Sequence, residues 1–272
     1  MLYSKLLAQA QTGTTAHWDI TTLSTTATYC FEDPGRLGAG MRGMYFSTTG
    51  DIFLIAHFNS EYVYQYNLST PWDISTAVYT DSFGIGPYVA DAAYGGMFVD
   101  STGTKMFITD NYDRVCEFTL TNPWNIDVVT YEGKEYMPPL EHDYFSGFYF
   151  KSDGSEITAS YSHGDGNYSI ETGVLTTNWD ITTMQPTSIS SLVPTPRVNS
   201  TFCIDGEHLI LGNIVLDVIQ QYNLSTPWDI SSGTLLGNFA PSEIPNILSP
   251  NCYFNGTTLY ISHDGKVCQY DV

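Results

Sequence analysis

Positive charge is what this chain lacks most. Nine Lys and Arg stand against 29 Asp and Glu in 272 residues, a formal net charge of −20. A surface of that sign repels phosphate backbones and anionic lipid, which argues against nucleic acid and membrane as partners and favours solubility. No run is long and apolar enough for a transmembrane helix. The opening MLYSKLLAQAQTG has one Lys and a short apolar stretch, too weak for a secretory signal. The five Cys form no C-x-x-C pair, so neither a zinc knuckle nor a thioredoxin-type motif is indicated. Cys116 and Cys268 fall at equivalent repeat positions and read as small buried apolar residues. A Gly-x-Ser-x-Gly elbow and a phosphate loop are both missing. The stretch from His163 to Asn167 lacks most of a calcium-loop pattern.

What is present is aromatic and periodic. Twenty Tyr, fourteen Phe and abundant Ser and Thr favour strands over helices. Every Trp is followed by Asp or Asn and then Ile, at Trp18, Trp72, Trp124, Trp179 and Trp228. QYNLSTPWDIS occurs at 65–75 and again at 221–231, too long a match for chance. Turn glycines recur at Gly50, Gly103, Gly154, Gly206 and Gly256, where a tight hairpin needs positive φ. Each repeat reads as four strands, with the Pro-Trp-Asp-Ile knot between the third and fourth. Four-stranded units at this period are propeller blades.

The chain ends fix the architecture. The last copy stops at Gln269-Tyr270-Asp271-Val272, without a knot or fourth strand. The first knot, at Trp18, has no first three strands before it. The sequence therefore predicts an all-β, five-bladed β-propeller of four-stranded blades, closed by an N-terminal strand that joins the C-terminal blade. Such closure leaves no open sheet edge at the seam. Residues 14–272 form the propeller and 1–13 an N-terminal arm. The knots read as scaffold. Asp73 should cap its own turn two residues on, Asn125 likewise, and the indole should pack against the next blade.

Hairpin turns and knots share one face of a propeller. The blade-to-blade loops and the strand-two ends share the other, and that face is the variable one, as a binding surface would be. Its loops hold Arg36, Arg42, Asp91, Glu141, Asp143 and Arg197, three of the chain's four Arg among them. The strand-two ends give His57, Asp110, Tyr161, Asn213 and His263, with Tyr62, Tyr112 and Tyr161 as aromatic platforms. Polar groups beside flat rings suit sugars, whose C–H faces stack and whose hydroxyls need partners.

Paired carboxylates from Asp91, Glu141 and Asp143 would serve a glycosidase, but such an enzyme would have less similar blades. His57 and His263, with Glu61 and Asp264 nearby, offer at most a weak cation site. The sequence predicts no catalysis, no metal and no cofactor.

The phrase from Tyr66 to Ala77, repeated almost wholly from Tyr222 to Ser232, resembles repeats in propeller proteins of tailed phages and marine microbes. The resemblance runs from His17 to the chain end. The third copy, GVLTTNWDITT, departs from the consensus. The resemblance implies a virion-associated or extracellular propeller, a tail, fibre or decoration component. No binding residues carry over, because the matching positions are scaffold. The expectation is a non-enzymatic binding or assembly module of a phage particle, contacting host-surface glycan or another virion protein. The alternative is a secreted lectin-like or glycosidase-like propeller acting on polysaccharide.

Overall fold

The computed structural model describes residues 19–38, 40–89, 96–110, 114–136, 144–162, 168–190, 203–213, 216–242, 251–263 and 265–271. The expected arm at 1–13 and the first knot Trp, Trp18, lie outside them. Five four-stranded antiparallel sheets form the five blades of a propeller.

The first strand, β1 (Tyr29–Glu32), belongs to the last blade. Blade one is β2 (Met41–Phe46), β3 (Ile52–His57), β4 (Tyr62–Leu68) and β5 (Ala77–Gly84). Blade two is β6 (Met97–Val99), β7 (Lys105–Thr109), β8 (Val115–Asn122) and β9 (Asn125–Tyr136). Blade three is β10 (Tyr144–Phe150), β11 (Glu156–Ser162), β12 (Tyr168–Leu175) and β13 (Met184–Ser190). Blade four is β14 (Cys203–Ile204), β15 (His208–Asn213), β16 (Val218–Leu224) and β17 (Gly233–Phe239). Blade five is β18 (Asn251–Phe254), β19 (Thr258–His263) and β20 (Lys266–Asp271), completed by β1.

Closure follows the sequence reading. Tyr29 pairs with Gln269 and Glu32 with Lys266, so the chain's first strand is laid on its last. Between them Cys30 and Cys268 form a disulfide across 238 residues. This corrects the reading of Cys268 as a merely apolar residue. The placement of Cys30 opposite it depends on a strand register invisible in Cys spacing. Cys116 is free and buried, as expected.

The core lies between blades. Five apolar clusters each join strands of two neighbouring blades, such as Leu54 and Val63 with Met97 and Ile126, or Phe46 and Tyr64 with Tyr260 and Val267. The strand-two residues Phe53, Leu54, Ile55 and Ala56 are buried on both faces, because blades stack on either side.

Four of the knots are single 3-10 turns, each capped by its own Asp, while in blade two the strand β9 begins directly at Asn125. Asp19, Asp73, Asp180 and Asp229 accept from the backbone N–H two residues on, at 2.9–3.2 Å. Asn125 does the same for Asp127 at 3.0 Å. The indole is packed differently from expectation. Trp72 stacks on Tyr253 of the preceding blade, and Trp179 on Phe98 and Phe107 of the preceding blade, not the following one. Each described knot Trp also has a left-handed backbone, with φ of 60–67°. That conformation turns the ring back over its own blade's hairpin glycine. The Trp72 amide donates to the Gly50 carbonyl at 2.8 Å, and the pattern recurs at Trp124, Trp179 and Trp228.

Candidate functional site

Two opposite faces result, with different chemistry. On the knot face the polar side chains are absorbed by the repeat. The buried Gln65, Glu117, Gln221 and Gln269 each accept the knot Ile N–H of the following blade, at 2.9–3.3 Å. Glu117 is further neutralised by Lys105 and by Lys134, which also bridges to Asp180 at 3.1 Å. In blade three the equivalent residue is Thr172, which meets Thr187 of the outer strand instead. The departure of the third copy thus has a local structural counterpart.

The other face carries no single repeated residue at its strand-two ends, only His57, Asp110, Tyr161, Asn213 and His263. Asp110 is fully buried and holds Arg114 through Nε at 2.7 Å, while Arg114 reaches Glu135 at 2.6 Å. Asn213 is fully buried, donates to Gln220 at 3.0 Å and accepts from the Leu216 N–H at 3.1 Å. These two are structural caps. Tyr161 is buried in the cluster between blades two and three, so it offers no platform. Its ring points between the blades because strand two is covered on both sides. His263 is half-buried at the end of β19. His57 is 5% exposed at the seam of blades five and one.

The loop arginines divide. Arg36 is drawn outward, to Asp33 at 3.0 Å and over the Tyr79 ring at 3.5 Å on an outermost strand. Asp33 also accepts from the Tyr66 hydroxyl at 3.1 Å, so Arg36 completes a network with Asp33, Tyr66 and Tyr79. Arg42 lies on the innermost strand β2, at a register irregularity, with its guanidinium 6.0 Å from the Phe58 ring centre. Asp91, Tyr112, Glu141, Asp143, Arg197 and Asp264 lie outside the described residues. Among the described residues no three His, Cys, Asp or Glu gather as a metal site would require.

One continuous group stands out at the seam. Tyr62 is 42% exposed and lies flat on Tyr64, 5.9 Å away at 17°. Tyr64 in turn meets the His57 ring at 6.4 Å, edge-on. Gly84 leaves room beside the Tyr62 ring, and Glu61 lies over Gly86. Glu61 has a left-handed backbone, φ 57°. Asp217 and Gly265 share that conformation just before their own third strands, so it belongs to the repeat turn. Burial holds the His57 imidazole below its ordinary pKa; a hydrogen bond to the Gly38 carbonyl opposes this in part, and the Arg42 charge adds a smaller push in the same direction as burial. The ring is therefore neutral at pH 7.

No family model matches the chain, and no curated protein matches it. Solved structures do. A "putative 6-phosphogluconolactonase" of Bacteroides uniformis is similar at 15% identity and a TM-score of 0.47, over 73% of this chain and 53% of that one. Another of that name from Bacteroides fragilis shows 11% identity and a TM-score of 0.45, over 76% and 57%. A protein from Lactobacillus plantarum shows 12% identity and a TM-score of 0.48, over 78% and 60%. The chain thus spans between 53% and 60% of the length of these three. The likeness extends to the propeller fold and no further.

These comparisons correct the expected function. Two of the similar structures are named for an enzyme, and neither name is that of a virion component. Neither the phage-particle role nor the absence of catalysis is carried forward. The correction has a physical reason: the repeat motif consists of scaffold positions, and scaffold does not determine function.

Proposed function

We propose that this protein recognises a saccharide on the face formed by the strand-two ends and blade-to-blade loops, in an extracellular, oxidising compartment. One observation carries the reading: the exposed Tyr62 ring, backed by Tyr64 and flanked by Glu61. A fixed flat ring suits the C–H face of a pyranose, and the adjacent Glu61 carboxylate suits its hydroxyls. The compartment is supported by the Cys30–Cys268 disulfide, a bond that persists where thiols are not kept reduced.

A glycan array followed by calorimetry tests the reading. Tyr62→Ala should weaken binding about tenfold or more, equivalent to ~1.4 kcal/mol. Thr226→Lys, on the knot face, should leave it unchanged. Reducing-sugar release and lactone hydrolysis should be assayed on the same ligands, to separate retention from turnover. Binding insensitive to Tyr62, or lost with Thr226→Lys, would refute the choice of face.

A further inference from the structure

Blade one carries a second exposed ring at the same end as Tyr62. Tyr88 follows the outermost strand β5, in the crossing to blade two, and is 39% exposed. It lies nearly parallel to Phe83 at 6.0 Å and 10°, meets Phe118 edge-on at 6.1 Å, and reaches Tyr131 of blade two at 5.4 Å. Tyr62 has the same construction, an exposed Tyr laid nearly parallel on a less exposed ring, that of Tyr64. Neither ring is required by the repeat. The sister positions of Tyr62 hold Arg114, Ser169, Val218 and Lys266. The sister of Tyr88 in the preceding crossing is Arg36. There the amides of Arg36 and Leu37 donate to the Asp33 carbonyl, as those of Tyr88 and Val89 donate to that of Ile85, all at 2.7–3.0 Å. Arg36 and Tyr88 each lie against a Tyr on the next blade's outermost strand. An arginine fills that place in one crossing, so packing alone does not call for a flat ring in the other.

The chain between the two rings is low and polar. Gly84 pairs with Tyr62, and a side chain there would begin 3.5 Å from the Tyr62 ring. Ile85 is buried, and a side chain at Gly86 would collide with the Glu61 carboxylate. The Ile85 carbonyl closes a single turn on the Tyr88 amide, which holds their Cα atoms within about 7 Å. Phe83 and Gly84 point to opposite faces of the sheet, so Tyr88, on Phe83, and Tyr62, beside Gly84, flank the end of β5 from its two sides. The half-buried Glu61 sits between them. Beyond Tyr88, the Tyr131 hydroxyl donates to Glu135 at 3.2 Å, and Arg114 holds the same carboxylate oxygen at 2.6 Å. Those polar groups are fixed beside the second ring as Glu61 is beside the first. A sugar unit needs what this surface provides twice: a flat apolar face for its C–H side and oriented polar groups for its hydroxyls.

We propose that Tyr88 forms a second saccharide subsite, so that the ligand is an oligosaccharide crossing the end of β5 from Tyr62 to Tyr88 over Glu61. This rests on the reading of Tyr62 as a saccharide platform and extends it from a single sugar to a chain of linked ones.

Calorimetry with glucose, galactose and mannose, and with the di- and trisaccharides built from each, tests it. In at least one series the oligosaccharide should bind about tenfold or more tightly than its monosaccharide. Tyr88→Leu keeps apolar bulk against Tyr131 but removes the flat ring; it should abolish that gain and leave the monosaccharide affinity unchanged. Tyr88→Trp should retain the gain, and Tyr62→Ala should weaken binding at every length. NMR titration of the wild-type tyrosine rings avoids any folding defect in the variants. The oligosaccharide should shift both Tyr62 and Tyr88. Equal affinity across lengths, a gain that survives Tyr88→Leu, or a Tyr88 ring unmoved by every oligosaccharide would overturn the second subsite and leave the Tyr62 platform standing. Binding of none of these sugars would overturn the saccharide reading and the second subsite with it.

Discussion

Gln65 Oε1 accepts the backbone N–H of Ile126 at 3.1 Å, reaching from the third strand of blade one into the knot of blade two. The bond is buried and joins residues 61 apart. Its counterparts from Gln221, Glu117 and Gln269 tie three further blade pairs. Four knots thus dock on the blade before them, and blade stacking has a polar register beside its apolar layers.

That arrangement predicts an asymmetric cost of substitution. Gln65→Ala should destabilise by about 1–3 kcal/mol, because the Ile126 N–H would be buried unpaired. Gln65→Glu should be worse than Glu117→Gln. Only Glu117 has cations at hand, in Lys105 and Lys134, to offset a buried charge. Urea unfolding of the three variants checks the order. Equal losses would mean that water reaches the knot amide.

Two left-handed glycines, Gly50 in a hairpin turn and Gly133 within β9, make a sharper prediction. Gly50 has φ +74° and Gly133 has φ +73°, so a side chain costs either about 1–2 kcal/mol in backbone strain. They differ in what surrounds them. A Cβ at Gly50 would fall within the Trp72 indole, whereas nothing lies within 4 Å of one at Gly133. Gly50→Ala should therefore cost clearly more than Gly133→Ala, with the excess measuring displacement of the indole. Thermal melts of the two variants, with Trp fluorescence to report ring movement, decide it.

Blade number, strand order, closure and the Asx caps were legible because they depend on residues repeated in every copy. Trp72 shows where legibility ended: the Pro-Trp-Asp-Ile string announces a knot, but not that its indole turns back onto Gly50 and the preceding blade. That contact pairs a left-handed Trp with a glycine from another turn, and no local propensity favours it. The disulfide was hidden similarly, because Cys30 meets Cys268 only once β1 has found β20. At the site, His57 was legible as a strand-two end by its spacing from Gly50. Its burial was not, since that depends on Gly38 and Gly40 of the crossing packed against its ring. Arg36 misled because its loop position reads as a free binding cation while its side chain is captured by Asp33 and Tyr79.

Glu171 gives a prediction in pH. It is buried between blades two and three and feels the Tyr136 hydroxyl, itself buried without a partner. Burial raises its pKa above the ordinary 4.5, and the Ser169 hydroxyl only partly opposes this. A carboxyl with a raised folded pKa binds its proton more tightly when folded. Its contribution is most favourable below the unfolded value and is lost as pH rises through the folded one. Glu171→Gln should therefore stabilise the protein at neutral pH, with the gain disappearing in acid below the unfolded pKa. Unfolding curves across that range should show the two proteins converging as pH falls. A constant difference would assign the effect to packing instead.

The seam itself can be tested by opening it. Cys30–Cys268 joins strands that are already hydrogen bonded, and Lys266 bridges Glu32 at 2.6 Å beside it. Cross-linking so long a loop removes denatured-state entropy worth up to about 5 kcal/mol in the chain-entropy account. Cys30→Ser should thus lower stability without changing the blades, and a dithiol reductant should do the same to the wild type and nothing to the variant. In the variant, β1 should exchange its amides first, because it is the outermost strand and only its pairing to β20 then holds it. Deleting 266–272 removes that pairing partner altogether and should cause insolubility or loss of cooperative unfolding. Reduced wild type that melts like the oxidised form would show the pairing alone sufficient. A 266–272 deletion that also melts like the full chain would rule out the shared blade.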